Sequence, residues 1–200
     1  MKKLGEGWQY SVYNLGNGRV LKKYHHWLSS AWVMFKDLLN EKEHSIFEIP
    51  SFIVDLDGKA KESIKIIGRR TIPMSWLGNP KFLNDLDYEQ DKVIPLHAVF
   101  ESSTTAQINE IIDVVLDFNK ELLARGVIDK SFNITKNYGL DKKSKIVLID
   151  FGELYDEPAN IRKQLTKKIW HKSYVGGYIK DLDARKYFLE KMDEFAKLYL

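Results

Sequence analysis

The segment KIVLIDFGEL, residues 145–154, joins a short apolar run to an acidic residue followed by Phe and Gly. Apolar runs of this length between polar residues are typical of buried strands. The strand is therefore predicted to end at Asp150, where the turn permitted by Gly152 exposes the carboxylate. A carboxylate at such a strand end can hold Mg²⁺ between phosphate groups. Asn137 stands thirteen residues earlier, and its amide oxygen can complete the oxygen shell of the ion.

A second segment, LGEGWQYSV at residues 4–12, has glycines at the spacing of a GxGxxGxV loop. Gly5, Gly7 and Val12 fit the pattern, while Tyr10 replaces the third glycine. A glycine turn between strands lets backbone N–H groups approach phosphates closely, because no Cβ intervenes. The alternative interpretation is a tight hairpin with no ligand. The three matching residues are candidate nucleotide-binding residues.

The strand that follows carries a candidate phosphate-binding lysine. Val20 and Lys22 alternate onto one face, so Lys22 can reach phosphate oxygens beneath the glycine turn. Such a lysine needs a carboxylate to hold it, and the next predicted helix offers Glu41 and Glu43. Glu43 lies on the apolar stripe of that helix and is the expected partner, whereas Glu41 faces away. Solvated charges are the alternative interpretation for all of these residues.

The first part of the chain is predicted to form a small antiparallel sheet with one helix. Residues 1–24 alternate as a β-hairpin around a tight Gly-Asn-Gly turn. Residues 28–47 have helical apolar spacing, and Pro50 is predicted to stop that helix. Two short strands are expected at residues 51–56 and 63–67. Residues 68–102, with three of the five prolines, are interpreted as a connector.

The second part is predicted to be mostly helical. Thr104 and Gln107 form a capping-box pattern ahead of a helix that ends near Gly126. Two further helices are expected, one over residues 158–170 and one over 183–199. The loop between these helices and the strand before Asp150 contains the asparagines and aspartate considered below.

Taken in order, these features resemble the protein-kinase-like superfamily, which includes small-molecule phosphotransferases of the aminoglycoside type. The resemblance rests on the glycine-rich hairpin, V-x-K, a helix with Glu, a long helix ending ARG, Asn and strand-DFG, over roughly residues 4–155. It implies ATP and Mg²⁺ as cofactors. By resemblance, Gly5 and Gly7 would cover the ATP phosphates, and Lys22 with Glu43 would fix the α and β phosphates.

The same resemblance implies the metal ligands, the hinge and the fold. Asn137 and Asp150 would bind Mg²⁺, and residues 68–73 would form the hinge that receives adenine. The expected fold class is α+β with two lobes. A small antiparallel sheet lobe with one helix would span residues 1–72, and a reduced, mostly helical lobe would span residues 73–200.

The chain departs from the family at the catalytic loop. Kinases carry an aspartate as catalytic base five residues before the metal-binding asparagine, but Phe132 stands five before Asn137. Asp129 is the candidate substitute. If Asn133 is the ligand instead, Asp129 precedes it by four residues, and the Asn-Ile pair of the family is matched. The interval from Asn137 to the DFG aspartate equals the usual one, so we favour Asn137 as ligand and Asp129 as catalytic residue.

Two functions fit these residues. One is an enzyme that transfers the γ-phosphate of ATP to a hydroxyl of an unknown small-molecule or protein acceptor, with Lys22 and Asp129 as catalytic residues. Only 50 residues follow Asp150, with no APE-like motif, which argues against an ordinary kinase of protein substrates. The alternative is a pseudokinase, a binding or regulatory module that keeps the nucleotide site with little or no turnover.

Composition restricts the partners and the compartment. The 31 basic and 28 acidic residues nearly cancel to +3, so nucleic acid is not expected as a partner. A basic run over residues 162–172 is interpreted as the solvated face of a helix. The chain has no cysteine, which excludes disulfides and thiolate metal sites. We expect a cytoplasmic protein without membrane contact, because no apolar window is long enough for a membrane helix or a signal peptide.

Overall fold

The computed structural model describes residues 1–7, 9–25, 49–172 and 179–200. The first three strands, β1 (Lys2–Glu6), β2 (Tyr10–Asn14) and β3 (Arg19–Tyr24), form an antiparallel meander. The hairpin predicted for the first 24 residues is the β2–β3 pair, and β1 is an additional strand. The β2–β3 turn contains Gly16 at φ 82° and Gly18 at φ 79°, backbone conformations that favour glycine.

A long helix, α1 (Ile49–Arg69), occupies the region where two strands were expected. The prediction of strands at residues 51–56 and 63–67 is wrong. Buried residues recur at helical spacing and form one face, at Leu56, Ala60, Ser63 and Ile67. Pro50 lies in the first turn of the helix, where a missing N–H costs no intrahelical bond. The helix predicted over residues 28–47 lies outside the described residues.

Two more strands complete the sheet, β4 (Lys81–Phe82) and β5 (Tyr88–Asp91), in the order β1-β2-β3-β5-β4. The interpretation of residues 68–102 as a connector is therefore wrong for this stretch. The sheet also takes strands from both sides of the division proposed at residue 72. A 3-10 turn (Met74–Leu77) precedes these strands and ends at left-handed Gly78.

The helical part is built around α3 and α6. Its helices are α2 (Leu96–Glu101), α3 (Thr105–Ala124), α4 (Ile134–Asn137), α5 (Pro158–Lys167) and α6 (Leu182–Lys197). The capping box of Thr104 and Gln107 is present, so the predicted start of α3 is confirmed. The helix expected over residues 158–170 ends earlier, because Lys168 is left-handed and a 3-10 turn (Ile169–His171) follows it. Phe188 of α6 is fully buried in the core.

Two small sheets connect the loops of the helical part. Their strands are β6 (Ile94–Pro95), β7 (Ile128–Asp129), β8 (Tyr138–Leu140), β9 (Ile146–Leu148) and β10 (Leu154–Tyr155), paired as β6-β8-β9 and β7-β10. β9 is the strand predicted before Asp150. The chain is thus a mixed α+β structure with a small antiparallel sheet and a set of helices. No helix in the described part of the chain is both long and apolar enough to span a membrane.

Candidate functional site

A cleft of about 1090 Å³ lies between the five-stranded sheet and the helical part. Most of the predicted site residues line it, namely Gly5, Gly7, Val12, Val20, Lys22, Asn137 and Asp150. Asp129 is not among the lining residues, and Glu41 and Glu43 lie outside the described residues. The structure therefore brings the two separated motifs, glycine turn with lysine and asparagine with DFG, to one cavity.

Lys22 crosses the cleft toward the DFG segment. Its Nζ donates to the backbone carbonyl of Ile149 and lies over the rings of Tyr10 and Tyr88, 5.8 and 5.7 Å from their centroids. The side chain is buried, and burial lowers the pKa of its ammonium, an effect that the nearby carboxylate of Asp150 opposes. Within the described residues, no carboxylate lies at ion-pair distance from Lys22. Aromatic faces and one carbonyl stabilise this cation instead.

The glycine turn between β1 and β2 is closed by its own backbone. The N–H of Gly7 donates to the carbonyl of Tyr10 at 2.9 Å. Tyr10, in the third-glycine position, is buried and makes edge contacts with Tyr24 and Tyr88. An aromatic side chain is therefore accommodated here because it joins the core of the sheet rather than entering the turn.

The DFG turn is anchored by its phenylalanine. Phe151 is buried and stacks on Tyr88, with ring centroids 4.9 Å apart. This packing holds the preceding Asp150 at the cleft, where its Oδ1 accepts a hydrogen bond from the N–H of Gly152 at 3.4 Å. The carboxylate is thus presented to the cleft with one weak backbone donor, in agreement with the predicted exposure at a strand end.

Asn137 is joined to Asp150 through the backbone. Its carbonyl accepts from the N–H groups of Ile149 and Asp150, at 2.7 and 3.2 Å. Its Nδ2 donates to Asp129 Oδ2 at 3.0 Å and to Ser131 Oγ at 2.8 Å. These two acceptors fix the orientation of the Asn137 amide, because only its nitrogen can donate to them. The oxygen is the atom of this amide that a cation can use.

Asp129 lies behind the cleft rather than in it. It is 1% exposed, and its carboxylate accepts from the N–H of Ser131 as well as from Asn137. Burial raises its pKa to about 7, although these hydrogen bonds work in the opposite direction. Ser131, which lines the cleft, separates Asp129 from it. The structure thus gives Asp129 contact with a cleft residue but no direct surface on the cleft.

The loop itself shows how the two asparagines differ. Asn133 caps α4, since its Oδ1 accepts from Thr135 Oγ1 at 2.9 Å and from the N–H of Lys136 at 3.3 Å. Phe132 has φ 48° and is buried with its ring against Trp170 and Phe195. Of the two asparagines that line the cleft, Asn137 is the one hydrogen-bonded to the backbone of the DFG segment.

The hinge predicted at residues 68–73 is wrong. None of these residues lines the cleft, whereas residues 90–93, at the end of β5, do. Arg69 and Arg70 instead bind the buried carboxylate of Asp156, with contacts of 2.9 Å from each guanidinium. Burial opposes ionisation of Asp156, but the hydrogen bonds from the two arginines lower its pKa. The apolar strand pattern over β5, residues 88–91, is short and interrupted by charges, so the sequence did not indicate that this strand reaches the cleft.

Sequence reasoning missed Gln9. It lines the cleft from the glycine turn and packs against Gly152, where an added Cβ would lie 2.1 Å from Gln9 Oε1. The motif pattern treats this position as variable, so the sequence carried no signal for it.

Oxygen donors for a cation are present but few. Asp150 provides a carboxylate and Asn137 an amide oxygen at the same end of the cleft. In the described residues, no group of three or more His, Cys, Asp or Glu side chains could hold a metal ion. Mg²⁺ is commonly bound by one or two protein oxygens together with substrate phosphates and water. The donor set therefore fits Mg²⁺ only as a companion of a phosphate ligand.

No family model matches this chain, and no curated protein matches it. Among solved structures, the chain is similar to Rv3197 from Mycobacterium tuberculosis, a structure described as its complex with erythromycin. The TM-score is 0.50 at 13% sequence identity, over 95% of this chain and 53% of that one. This chain thus spans about half the length of the structure that it matches. The similarity concerns the fold alone.

Proposed function

We propose that this chain is a kinase-like protein that binds ATP with Mg²⁺ in the cleft and transfers the γ-phosphate to a hydroxyl acceptor. The observation that carries the proposal is the meeting of Lys22, the glycine turn and Asp150 around one cavity. Each of these features alone occurs in proteins that bind no nucleotide. Their convergence from distant parts of the sequence supports a phosphate-binding role.

The chemistry of the residues on the two sides of the cleft supports the binding of ATP with Mg²⁺. Lys22 supplies a positive charge in a dry environment, where its interaction with phosphate is screened least. Asp150 and Asn137 supply oxygen atoms for Mg²⁺, which neutralises phosphate charge when it is bound. Residues 90–93 line the cleft at the end of β5 and replace residues 68–73 as the proposed contact for the base.

The size of the cleft supports a second, smaller substrate beside the nucleotide. Single-ligand pockets are commonly about 300–1,000 Å³, and this cleft, at about 1090 Å³, is slightly larger. The cleft extends to α2, α3 and the segment before α6, where Phe100, Ile108 and Ile179 line it. This extension is the proposed acceptor site.

A second candidate function is nucleotide binding with little or no turnover. It is favoured by one observation, the burial of Asp129 behind Ser131. A general base must come within hydrogen-bond reach of the proton that it removes, directly or through one water. Phe132, at the family position of the catalytic aspartate, packs into the core and offers no substitute.

The test is thermal unfolding of the purified chain with ATP, in the presence and absence of Mg²⁺, followed by measurement of ATP consumption. Stabilisation that requires Mg²⁺, with turnover, supports the enzyme. Stabilisation without turnover supports the binding module. No stabilisation under any condition rejects both.

The matched variants are Asp150→Ala and Asp117→Ala. Asp150→Ala should abolish the Mg²⁺-dependent part of the stabilisation and leave the fold intact, because the carboxylate serves charge rather than packing. Asp117 is an exposed acid on α3, and its replacement should change nothing. Unchanged Mg²⁺ dependence in Asp150→Ala would remove the metal assignment.

A further inference from the structure

The side-chain amide of Gln9 lies at the cleft without the partner that its burial requires. The residue is 8% exposed and lines the cleft. Its Nε2 is buried and has no hydrogen-bond acceptor in the described part of the chain. A buried donor left without an acceptor costs free energy, so its presence requires an explanation.

Two backbone groups around Gln9 are already engaged in internal hydrogen bonds. The N–H of Gly7 donates to Tyr10, and the carbonyl of Gln9 accepts from the N–H of His25, each at 2.9 Å. These two bonds stabilise the glycine turn internally. Gly7 cannot donate to a phosphate unless its bond to Tyr10 opens. The side-chain Nε2 of Gln9 is a donor of this turn for which the described residues supply no acceptor.

The amide also has a defined position relative to the charged groups of the site. It rests on Gly152, since a Cβ added there would lie 2.1 Å from Gln9 Oε1 and 3.2 Å from Nε2. The amide therefore lies beside the turn that follows Asp150. Gln9 and Asp150 line the same cleft as Lys22. A neutral donor at this place can bind an anionic oxygen without adding a second buried cation near Lys22.

We propose that Gln9 is a phosphate-positioning residue, whose Nε2 donates to an oxygen of the terminal phosphate of the nucleotide. The proposal rests on the nucleotide-binding function proposed above. It gives the side chain a role that the backbone of the glycine turn does not fill in this structure. An oxygen of the phosphate would supply the acceptor that Nε2 lacks among the described residues.

The experiment compares the full-length chain with Gln9→Met and Gln9→Glu, using Mg²⁺-ATP and adenosine as probes in titration calorimetry. Gln9→Met removes the donor at similar volume, and Gln9→Glu keeps the shape while placing a negative charge against the phosphate. The affinity for Mg²⁺-ATP should fall by about tenfold or more, as expected for one hydrogen bond to a charged group. The affinity for adenosine should not change.

Thermal unfolding separates this role from a structural one. Removing an unsatisfied buried donor should leave the unfolding temperature of unliganded Gln9→Met unchanged or higher. The matched control is Gln164→Met, because Gln164 is similarly buried but donates to the carbonyl of Lys130 and does not line the cleft. That variant should unfold at a lower temperature with an unchanged affinity for Mg²⁺-ATP.

Three results would overturn the proposal. Unchanged affinity for Mg²⁺-ATP in both Gln9 variants would exclude a phosphate contact. Equal losses for ATP and adenosine, or a lowered unfolding temperature of Gln9→Met, would indicate a structural role. If the wild-type chain binds adenosine and ATP equally or not at all, the proposed nucleotide function fails first, and that failure is visible before any variant is measured.

Discussion

The two walls of the cleft bury ionisable side chains of opposite sign. The sheet wall, formed by residues of β1–β3 and β5, buries Lys22, whereas the loop wall, formed by residues 129–137 and 150–153, buries Asp129 behind its surface. Burial lowers the pKa of Lys22 and raises that of Asp129. Both shifts favour the neutral forms, so both groups make folding less favourable.

The partners of these two groups differ. Lys22 contacts aromatic faces and a carbonyl, and it lines the cleft. Asp129 accepts hydrogen bonds from Ser131 and Asn137 and is separated from the cleft. A buried charge with direct access to a cavity is placed for a ligand, while one held behind the surface orients its neighbours. Under the proposed function, Lys22 of the sheet wall would bind phosphate, Asp150 and Asn137 of the loop wall would hold Mg²⁺, and Asp129 would position Asn137.

The largest expected effect is that of Lys22→Met. The affinity for Mg²⁺-ATP should fall by about a hundredfold, because a charged hydrogen-bond donor to phosphate is lost. The free energy of unfolding of the unliganded chain should rise at neutral pH, because a desolvated ammonium is replaced by an apolar side chain. Chemical denaturation and nucleotide titration measure the two changes.

The pH dependence sharpens this test. The pKa of Lys22 is lowered in the folded chain, so between that value and its ordinary 10.5 the unfolded chain binds more protons. The wild-type chain therefore gains stability as pH rises through this interval, and the advantage of Lys22→Met should shrink. Lys23→Met is the control, since Lys23 is exposed on the other face of β3. A larger effect at Lys23 would show that the wrong face has been assigned to the cleft.

The next largest expected effect is that of Asp129→Asn on the free energy of unfolding. The folded pKa of Asp129 is about 7, and its ordinary value is 3.8. Between these values the folded chain binds more protons than the unfolded chain, so stability falls as pH rises from about 4 to about 7. Above pH 7 the free energy of unfolding remains lowered by the cost of the buried, ionised carboxylate. The amide cannot ionise, so the stability of the variant relative to wild type should rise between pH 5 and pH 8. A constant cost opposes this gain, because the new NH2 group faces one of the two donors, Ser131 N–H or Asn137 Nδ2, that the carboxylate accepts from.

Urea denaturation at pH 5 and pH 8 checks this prediction. The advantage of Asp129→Asn should be larger at pH 8, and the control Asp117→Asn, on the exposed face of α3, should show no such difference. An equal effect at both values would mean that Asp129 is ionised in the folded chain throughout. Loss of ATP turnover with retained ATP affinity would in addition assign Asp129 to the transfer step.

The β2–β3 part of the sheet wall could be predicted from the sequence because its geometry is local, whereas β5 was taken for a connector. Alternation along β3 places Val20 and Lys22 on one face, and the Gly-Asn-Gly turn fixes the pairing of β2 with β3. The proximity of Asn137 and Asp150 could also be predicted, because they lie at the two ends of the β8–β9 hairpin. Each of these relations spans a few residues or one turn.

The loop wall could not be predicted in the same way. Asp129 and Asn137 are separated by three more residues than the family interval, and the added length is taken up by α4 and by left-handed Phe132. The ring of Phe132 is held by Trp170 and Phe195 from the end of the chain. Such long-range packing leaves no periodicity in the local sequence. The same limit applies to α1, where short apolar runs fit strand and helix equally.

The smallest expected effect concerns the contact between the walls, Gln9 on Gly152. An alanine at position 152 suits the backbone, whose φ lies outside the left-handed region, but its Cβ would overlap Gln9 Oε1 at 2.1 Å. Gly152→Ala should therefore lower the free energy of unfolding by about 1–2 kcal/mol, as expected for overpacking. In the Gln9→Ala background the same substitution should cost almost nothing.

A double-mutant cycle measured by chemical denaturation gives the coupling, expected at about 1–2 kcal/mol. Gly58→Ala is the control, because no atom lies within 4 Å of its added Cβ and its position inside α1 favours alanine. Additive effects at positions 9 and 152 would mean that the amide is not seated on the DFG turn. In that case the two walls are energetically independent. Lys22 alone would then remain as the proposed phosphate contact of the sheet wall.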